Sequence, residues 1–313
     1  MNILLWHVHG SWTTAFVQGS HRYLLPMLPD RGPDGLGRAR TWDWPDGAVE
    51  VTPEQARAAD IDVVVAQRPA ELDALRRHWL GDRRLPTVYV EHNAPQGRIA
   101  DMRHPAADRD DLTIVHVTHF NDLFWDCGTT RTRVIEHGIV DPGYRYTGET
   151  QRAAVVINEA RRRARVTGTD LLRRFETEGV PIDLFGMDAR GIAPPTRGVE
   201  DVPQGRLHDE LARRRVYLHP IRWTSLGLSL IEAMHLGMPV VALATTEAPE
   251  AVPAGAGVLS TRVDRLAEAA RGYLADPERA RVAGRAARRA ARERFGLERF
   301  LADWDQLLEE VAA

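Results

Sequence analysis

Residues 219–241 read HPIRWTSLGLSLIEAMHLGMPVV. This stretch predicts a strand that ends at His219, a loop, and a helix over about 228–236 that Gly237 terminates. The predicted helix is apolar on almost every side, so we expect it to be buried. It nevertheless contains Glu232. A buried carboxylate needs hydrogen-bond donors, which a vicinal diol offers in suitable geometry, and pairing with an arginine is the alternative.

The residues that precede this helix have a second property. Its N-terminus follows Thr224, Ser225, Leu226 and Gly227 and exposes backbone N–H groups. Such groups bind a phosphate or a sugar hydroxyl. A nucleotide sugar requires both features, the carboxylate and the N–H groups.

Short apolar runs recur along the whole chain and alternate with helical stretches, which is typical of a parallel sheet covered by helices. The first series of predicted strands covers 3–8, 61–66, 87–90, 112–117 and 133–135. A second series covers 153–157, 182–185, 216–218, 239–243 and 257–259. The predicted fold class is therefore α/β, with two Rossmann-like domains.

The domain boundary is predicted in DPGYRYTGET, residues 141–150, because this segment has Pro, two Gly and no apolar periodicity. We assign 1–145 to an N-terminal domain and 151–295 to a C-terminal domain. Residues 297–313 form an amphipathic terminal helix with Phe300 and Trp304 on its apolar face.

Composition excludes several classes of protein. The chain has 313 residues and a formal net charge of −3, which argues against a dedicated nucleic-acid binder. All 41 basic residues are arginine, so lysine Schiff-base chemistry is excluded. A single cysteine, no signal-peptide pattern and no long apolar run favour a cytoplasmic location. The arginine-rich stretch from Arg279 to Arg299 predicts a solvated helix rather than a membrane or nucleic-acid surface.

The stretch TSLGLSLIEAMHLGMPVV resembles the EGFGLSLLEAMACGTPVV pattern of retaining GT-B glycosyltransferases, particularly glycosyltransferase family 4. The resemblance implies that Glu232 holds the ribose hydroxyls of a nucleotide-sugar donor. Thr224 stands where the family has its first glutamate, which contacts the transferred sugar, so this departure bears on the identity of the sugar and on activity. Ser225, Leu226 and Gly227 would offer backbone N–H groups to the sugar and diphosphate.

Residues 155–172, VVINEARRRARVTGTDLL, are similar to the family's Gly-Arg loop and Lys-Gly-x-Asp-Leu-Leu helix start. Gly168 fits the pattern, and Thr167 replaces the lysine. The arginine that grips the donor diphosphate is either Arg161 or Arg162; we favour Arg162, with Arg165 supplying a second charge. A solvated arginine loop is the alternative.

In the N-terminal half, Gly10 and Ser11 follow the first strand, where a glycine lets backbone approach a phosphate. The family uses a similar loop against the donor. VYVEHNAP, residues 88–95, looks like the family's strand that ends beside the reacting sugar, so His92 is the candidate that orients the acceptor or the sugar.

The resemblance implies a GT-B enzyme with two Rossmann-like domains facing each other across a cleft, the terminal helix returning to the N-terminal domain. The expected activity is hexosyl-type transfer (EC 2.4) from a nucleoside-diphosphate sugar to a small-molecule, glycan or lipid-linked acceptor, with retention. We expect no metal and no cofactor beyond this co-substrate, no nucleic-acid partner, and at most peripheral membrane contact. A sugar-nucleotide epimerase on the same fold and a non-catalytic nucleotide-sugar-binding protein are the alternatives.

Overall fold

The computed structural model describes residues 1–200 and 202–313, and the chain divides into two compact units. Unit 1 comprises Met1–Val140 together with Leu297–Ala313. Unit 2 comprises Asp141–Gly296. No helix among the described residues is both long enough and apolar enough to cross a membrane.

Unit 1 is a seven-stranded sheet with helices between its strands. The strands are β1 (Asn2–Leu5), β2 (Arg22–Pro26), β3 (Ala48–Val51), β4 (Val63–Ala66), β5 (Thr87–Glu91), β6 (Leu112–His116) and β7 (Arg131–Val134). The helices are α1 (Gly10–Phe16), α2 (Pro53–Ala58), α3 (Pro69–Leu72), α4 (Ala74–Leu80), α5 (His119–Phe124) and, from the end of the chain, α13 (Leu297–Ala312), with a short 3-10 helix at Ile99–Asp101.

The sheet order is β3-β2-β1-β4-β5-β6-β7, and every neighbouring pair is parallel. The direction in which strands are added reverses between β1 and β4. In open parallel sheets, ligands bind outside the carboxyl ends of the strands at such a point.

Helix α13 completes the core of unit 1. The Trp304 ring lies 5.7 Å from the Trp12 ring and 5.0 Å from the Phe16 ring, in edge-to-face arrangements. Phe300 also packs edge-on against Trp12, at 6.3 Å. These four side chains are buried, so α13 supplies aromatic contacts that α1 needs to cover its apolar face.

Several predicted bounds in unit 1 were wrong. The predicted strand over 3–8 begins at Asn2 and ends at Leu5. Residues 70–80, whose composition is typical of one helix, lie in two helices, α3 and α4. Strands β2 and β3 were not predicted at all.

Unit 2 contains a six-stranded sheet. Its strands are β8 (Thr150–Val156), β9 (Ile182–Phe185), β10 (Arg197–Val199), β11 (Arg214–His219), β12 (Val240–Leu243) and β13 (Gly257–Ser260). Its helices are α6 (Ala164–Thr167), α7 (Thr169–Thr177), α8 (Gln204–Arg213), α9 (Leu228–Leu236), α10 (Ala248–Ala251), α11 (Val263–Ala275) and α12 (Pro277–Arg294). The order is β10-β9-β8-β11-β12-β13, again all parallel, with the reversal between β8 and β11.

Helix α9 has the bounds that its sequence predicts, and every residue from Leu230 to Leu236 is buried. The pair Asp276-Pro277 predicts the start of a helix that reaches about Arg294, and α12 has these bounds. The Asp276 carboxylate accepts hydrogen bonds from the Glu278 and Arg279 amides, both at 3.0 Å. Strand β10, with three residues, was not predicted.

Candidate functional site

The segment between β11 and α9, residues 220–227, is called the β11 loop here. It leaves the carboxyl end of β11, at the central reversal of the unit 2 sheet. The sequence places Thr224, Ser225, Leu226 and Gly227 in this loop. The predicted donor contacts of unit 2 therefore lie at the edge of the sheet where open α/β folds bind ligands.

Gly168 fixes the position of the β11 loop from the neighbouring connection. It lies between α6 and α7 with φ of +74°, and a Cβ atom added there would stand 1.9 Å from the Pro220 carbonyl oxygen. Only glycine permits this approach in a left-handed conformation. The Arg222 amide then donates to the Val166 carbonyl at 2.9 Å, so backbone contacts join the two segments.

Arg222 adds a charged contact to this junction. Its guanidinium donates to both carboxylate oxygens of Asp170, at 2.5 and 2.9 Å, and to the Arg165 carbonyl at 2.7 Å. Arg165 reaches the same carboxylate at 3.4 Å, with 79% of its side chain exposed. This pairing holds the pKa of Asp170 below its usual range, chiefly through the Arg222 hydrogen bond. Asp170 is therefore ionised at neutral pH and keeps two arginines at the junction.

Glu232 lies in the second turn of α9 and is 6% exposed. Its carboxylate is 3.7 Å from His208 Nε2 on α8, which is longer than a hydrogen bond. His208 itself lies 3.0 Å from the Gln204 amide nitrogen. In the first turn of α9, Ser229 shares a hydrogen bond of 2.9 Å with the buried Tyr217 hydroxyl.

The β11 loop packs tightly where it enters α9. A Cβ atom on Gly227 would lie 2.6 Å from His219 Cε1, so the first turn of α9 is pressed against the end of β11. Burial lowers the pKa of His219 to about 4, and this imidazole is neutral at pH 7. Ser225 and Leu226 are buried, and the Ser225 carbonyl accepts from the Glu247 amide at 3.4 Å.

The predicted diphosphate arginine, Arg162, is engaged within its own loop. It forms a two-point ion pair with Glu159, three residues earlier, and 66% of its side chain is exposed. The neighbouring Arg161 pairs in the same way with Asp188. Of the predicted cationic residues, Arg165 joins the network that holds the β11 loop, whereas the Arg162 side chain pairs with Glu159 in its own loop.

Unit 1 places a group of histidines at the carboxyl edge of its sheet. The ring centroids of His9 and His92 are 4.1 Å apart, and those of His92 and His137 are 6.5 Å apart. Burial lowers the pKa of His9 to about 4, that of His137 to about 3, and that of His92 well below the ordinary value. Three neutral imidazoles therefore lie together at pH 7, because burial disfavours the charged form of each ring. Gly10, which opens α1, follows His9 directly, and Ser11 comes next.

Gln67 determines how the His92 ring is protonated. Its amide nitrogen donates to the Trp6 carbonyl at 2.6 Å, so its oxygen is the atom that faces His92 Nε2 at 3.0 Å. An amide oxygen can only accept, hence His92 Nε2 carries the proton and Nδ1 carries the lone pair. This buried contact fixes both the tautomer and the orientation of the ring.

Residues 187–290 match the family model described as "Glycosyl transferases group 1". This matched stretch, called the group 1 segment here, covers less than half of the chain. The group 1 segment includes the β11 loop and all of α9, so the resemblance to group 1 glycosyltransferases is confirmed for residues 224–241. Residues 88–95 and 155–172 lie outside the match.

Solved structures confirm the GT-B fold for the whole chain. Sucrose-phosphate synthase of Thermosynechococcus elongatus is similar with a TM-score of 0.73 and 15% identity, over 99% of both chains. HepE of Anabaena, solved with UDP-glucose, is similar with a TM-score of 0.76 and 15% identity, over 99% of this chain and 100% of that one. A glycosyltransferase of Rickettsia africae has a TM-score of 0.68 and 12% identity, over 99% of this chain and 98% of its own. No curated protein has significant sequence similarity to this chain.

Sequence reasoning missed Arg222 and Gln67. Arg222 lies in the β11 loop, but its partner Asp170 is 52 residues away, so no local spacing indicates the pair. Gln67 directly follows β4, and a polar residue at a strand end is the signal that could have identified it. Within residues 1–200 and 202–313, no group of three or more histidine, cysteine or acidic side chains is arranged to hold a metal ion.

Proposed function

We propose that this chain is a glycosyltransferase that takes a sugar from a nucleoside-diphosphate sugar, with the donor bound by unit 2. The observation that carries the proposal is Glu232, a carboxylate held in the second turn of a buried helix inside the group 1 segment. The HepE structure contains UDP-glucose, so UDP is the first nucleotide to test.

Each part of the unit 2 site has a role in this proposal. Glu232 accepts hydrogen bonds from the two ribose hydroxyls, and the two bonds together form a charge-assisted bidentate contact. The N–H groups of Ser225, Leu226 and Gly227 face the sugar and the diphosphate. Arg165, released from its long contact with Asp170, supplies positive charge.

Electrostatic stabilisation of the transition state would supply most of the rate enhancement. Negative charge grows on the diphosphate as the glycosidic bond breaks, and preorganised N–H groups and guanidinium groups stabilise it. Arg162 would exchange Glu159 for the diphosphate when donor binds; its exposed, short-range ion pair is worth little and can be replaced. A reaction that depends on these groups alone persists in EDTA.

Unit 1 would hold the acceptor, with His92 orienting the acceptor or the sugar. Because the pKa of His92 lies well below its ordinary value, this ring acts as a hydrogen-bonding group rather than as a strong base at neutral pH. Gly10 and Ser11 remain the proposed backbone contacts of unit 1 to the donor. Retention of configuration is part of the proposal through the resemblance to family 4.

Calorimetric titration of the full chain with UDP, GDP, ADP and dTDP tests the donor assignment. One nucleotide should bind with saturation, and Glu232→Ala should weaken it by about 1–3 kcal/mol, which is roughly 5-fold to 150-fold in Kd. Glu268→Ala is the matched control, because Glu268 is a 68% exposed glutamate on α11. The assignment is wrong if no nucleotide binds, or if the two variants behave alike.

Thr224 favours a second candidate, a protein that binds a nucleotide sugar without transferring it. Incubation with UDP-, GDP-, ADP- and dTDP-sugars separates the candidates. Nucleotide release indicates transfer or hydrolysis, and an epimerised sugar nucleotide indicates the epimerase alternative. Saturable binding without turnover indicates the non-catalytic protein.

A further inference from the structure

Unit 1 contains a pocket of about 590 Å³ that the proposed donor contacts do not use. It lies between the segment that follows β1 and the long connection from β2 to β3. Both β1 and β2 end at this edge of the parallel sheet, so the pocket opens at the edge where the histidine cluster also lies. Its lining includes Arg31, Arg38, Arg40, His7 and Trp42.

The arginines of the pocket are not equally neutralised. Arg31 forms a two-point ion pair with Glu50, at 2.7 and 3.0 Å, so its charge is balanced. Arg38 instead donates to the carbonyls of Ala48 and Trp44. A guanidinium that bonds only carbonyl groups keeps its full positive charge.

Arg40 is exposed and interacts electrostatically with Glu50, the carboxylate that already pairs with Arg31. Asp30 is the acidic residue in the lining, and one of its oxygens accepts from the Gly32 amide. The lining therefore carries an excess of positive charge. Guanidinium groups bind phosphate and carboxylate by paired hydrogen bonds.

The remaining wall is suited to the uncharged part of a small molecule. The His7 Nδ1–H donates to the Gly37 carbonyl at 3.1 Å, which leaves Nε2 as an acceptor. The Trp42 indole offers an aromatic face. A Cβ atom built on Gly10 would lie 3.5 Å from Trp42 Nε1, so the pocket adjoins the residue that opens α1.

We propose that this pocket binds the negatively charged group of the acceptor, so that the acceptor is a small molecule bearing a phosphoryl or carboxylate group. The identification of this molecule as the acceptor rests on the proposed function, whereas the binding of an anion in the pocket does not. Arg40 and Arg38 hold the anion, and Trp42 packs on the ring or chain that carries it.

The test is calorimetric or ligand-observed NMR titration of the full chain with glucose 6-phosphate, glucuronate and glucose. At least one of the two anionic sugars should bind at least about tenfold more tightly than glucose, and the stronger of them identifies the phosphoryl or the carboxylate source. Arg40→Gln should weaken that binding roughly tenfold, the loss expected for one charged hydrogen bond. Arg84→Gln is the control, because Arg84 is exposed and precedes β5, at the amino edge of the sheet.

Binding should also weaken as salt is raised, because an exposed guanidinium is screened. The proposal is overturned if glucose binds as tightly as both anions, if neither anion binds, or if Arg40→Gln and Arg84→Gln give the same Kd. Titration of the wild-type chain with UDP, GDP, ADP and dTDP distinguishes the two proposals. If none of these nucleotides binds and an anionic sugar does, the donor assignment is wrong and the pocket assignment stands. If a nucleotide binds and neither anionic sugar does, the pocket assignment is wrong and the donor assignment stands.

Discussion

Gly168→Ala tests whether close backbone contact positions the β11 loop. The new methyl group meets two separate penalties. Gly168 has a φ of +74°, a region that costs an L-residue about 1–2 kcal/mol. The methyl carbon would also stand 1.9 Å from the Pro220 oxygen, whereas carbon contacts below 3.0 Å are essentially not seen.

Relief of that clash requires the backbone to separate by about 1 Å, which the Arg222–Asp170 pair opposes. Overpacking of this kind costs about 1–3 kcal/mol, so the total is about 2–5 kcal/mol. Gly179→Ala is the matched control. Gly179 has a φ of +82°, but its added methyl group would be 3.6 Å from the nearest side-chain atom, an ordinary contact.

Differential scanning calorimetry of both variants measures the difference. At about 2–4 °C per kcal/mol for a unit of this size, Gly179→Ala should lower the Tm of unit 2 by a few degrees and Gly168→Ala by about twice as much or more. UDP affinity should fall only in Gly168→Ala. Equal Tm losses and equal UDP affinities would refute the idea that contact with Pro220 fixes the loop.

Three further perturbations have expected outcomes. His92→Ala should leave UDP affinity within about twofold and slow nucleotide release from the donor by about 100-fold or more. The control variant at the exposed His78, His78→Ala, should change neither quantity. A loss of affinity without slower release would contradict an orienting role for His92. Burial lowers the pKa of His219 to about 4, so as pH falls below about 6.5 the unfolded chain takes up a proton that the folded chain does not. Tm should therefore be highest above about pH 6.5 and fall as the pH drops towards 4, and the fall should be less steep in His219→Asn. Asp183 is buried between two arginines at 2.5 and 2.8 Å, so Asp183→Ala should lower the free energy of unfolding by about 3–5 kcal/mol in urea denaturation. The control variant at the exposed Asp209, Asp209→Ala, should change it little.

The parts of the fold that local patterns specify were predicted with correct bounds. Helix α9 is uniformly apolar and ends at a glycine, and α12 begins with an Asp-Pro cap, so local chemistry alone locates them. Strand β9, IDLF, also has the predicted bounds, and the sheet buries all four of its residues, including Asp183. Glu232 was identified for the same reason, since one carboxylate in an apolar helix contradicts its surroundings.

The elements that were missed depend on distant partners. Strand β3 reads AVEV and β10 reads RGV, and neither run is long or apolar enough to be recognised before its parallel neighbour is known. Strand β2 ends in a proline, a residue that is disfavoured within strands. The arginine pocket of unit 1 likewise forms in a connection without periodicity, where only the folded chain brings Arg31, Arg38 and Arg40 together.

Unit 1 is discontinuous in sequence, since residues 297–313 close a core begun by residues 1–140 while 141–296 form a separate body. During synthesis, the ribosome must therefore complete the entire second unit before the aromatic side chains of α13 can reach Trp12 and Phe16. Until then the growing chain exposes an apolar surface on α1. Nascent chains stalled just before Leu297 should be preferred clients of trigger-factor-like chaperones, and release of the final helix should end that association.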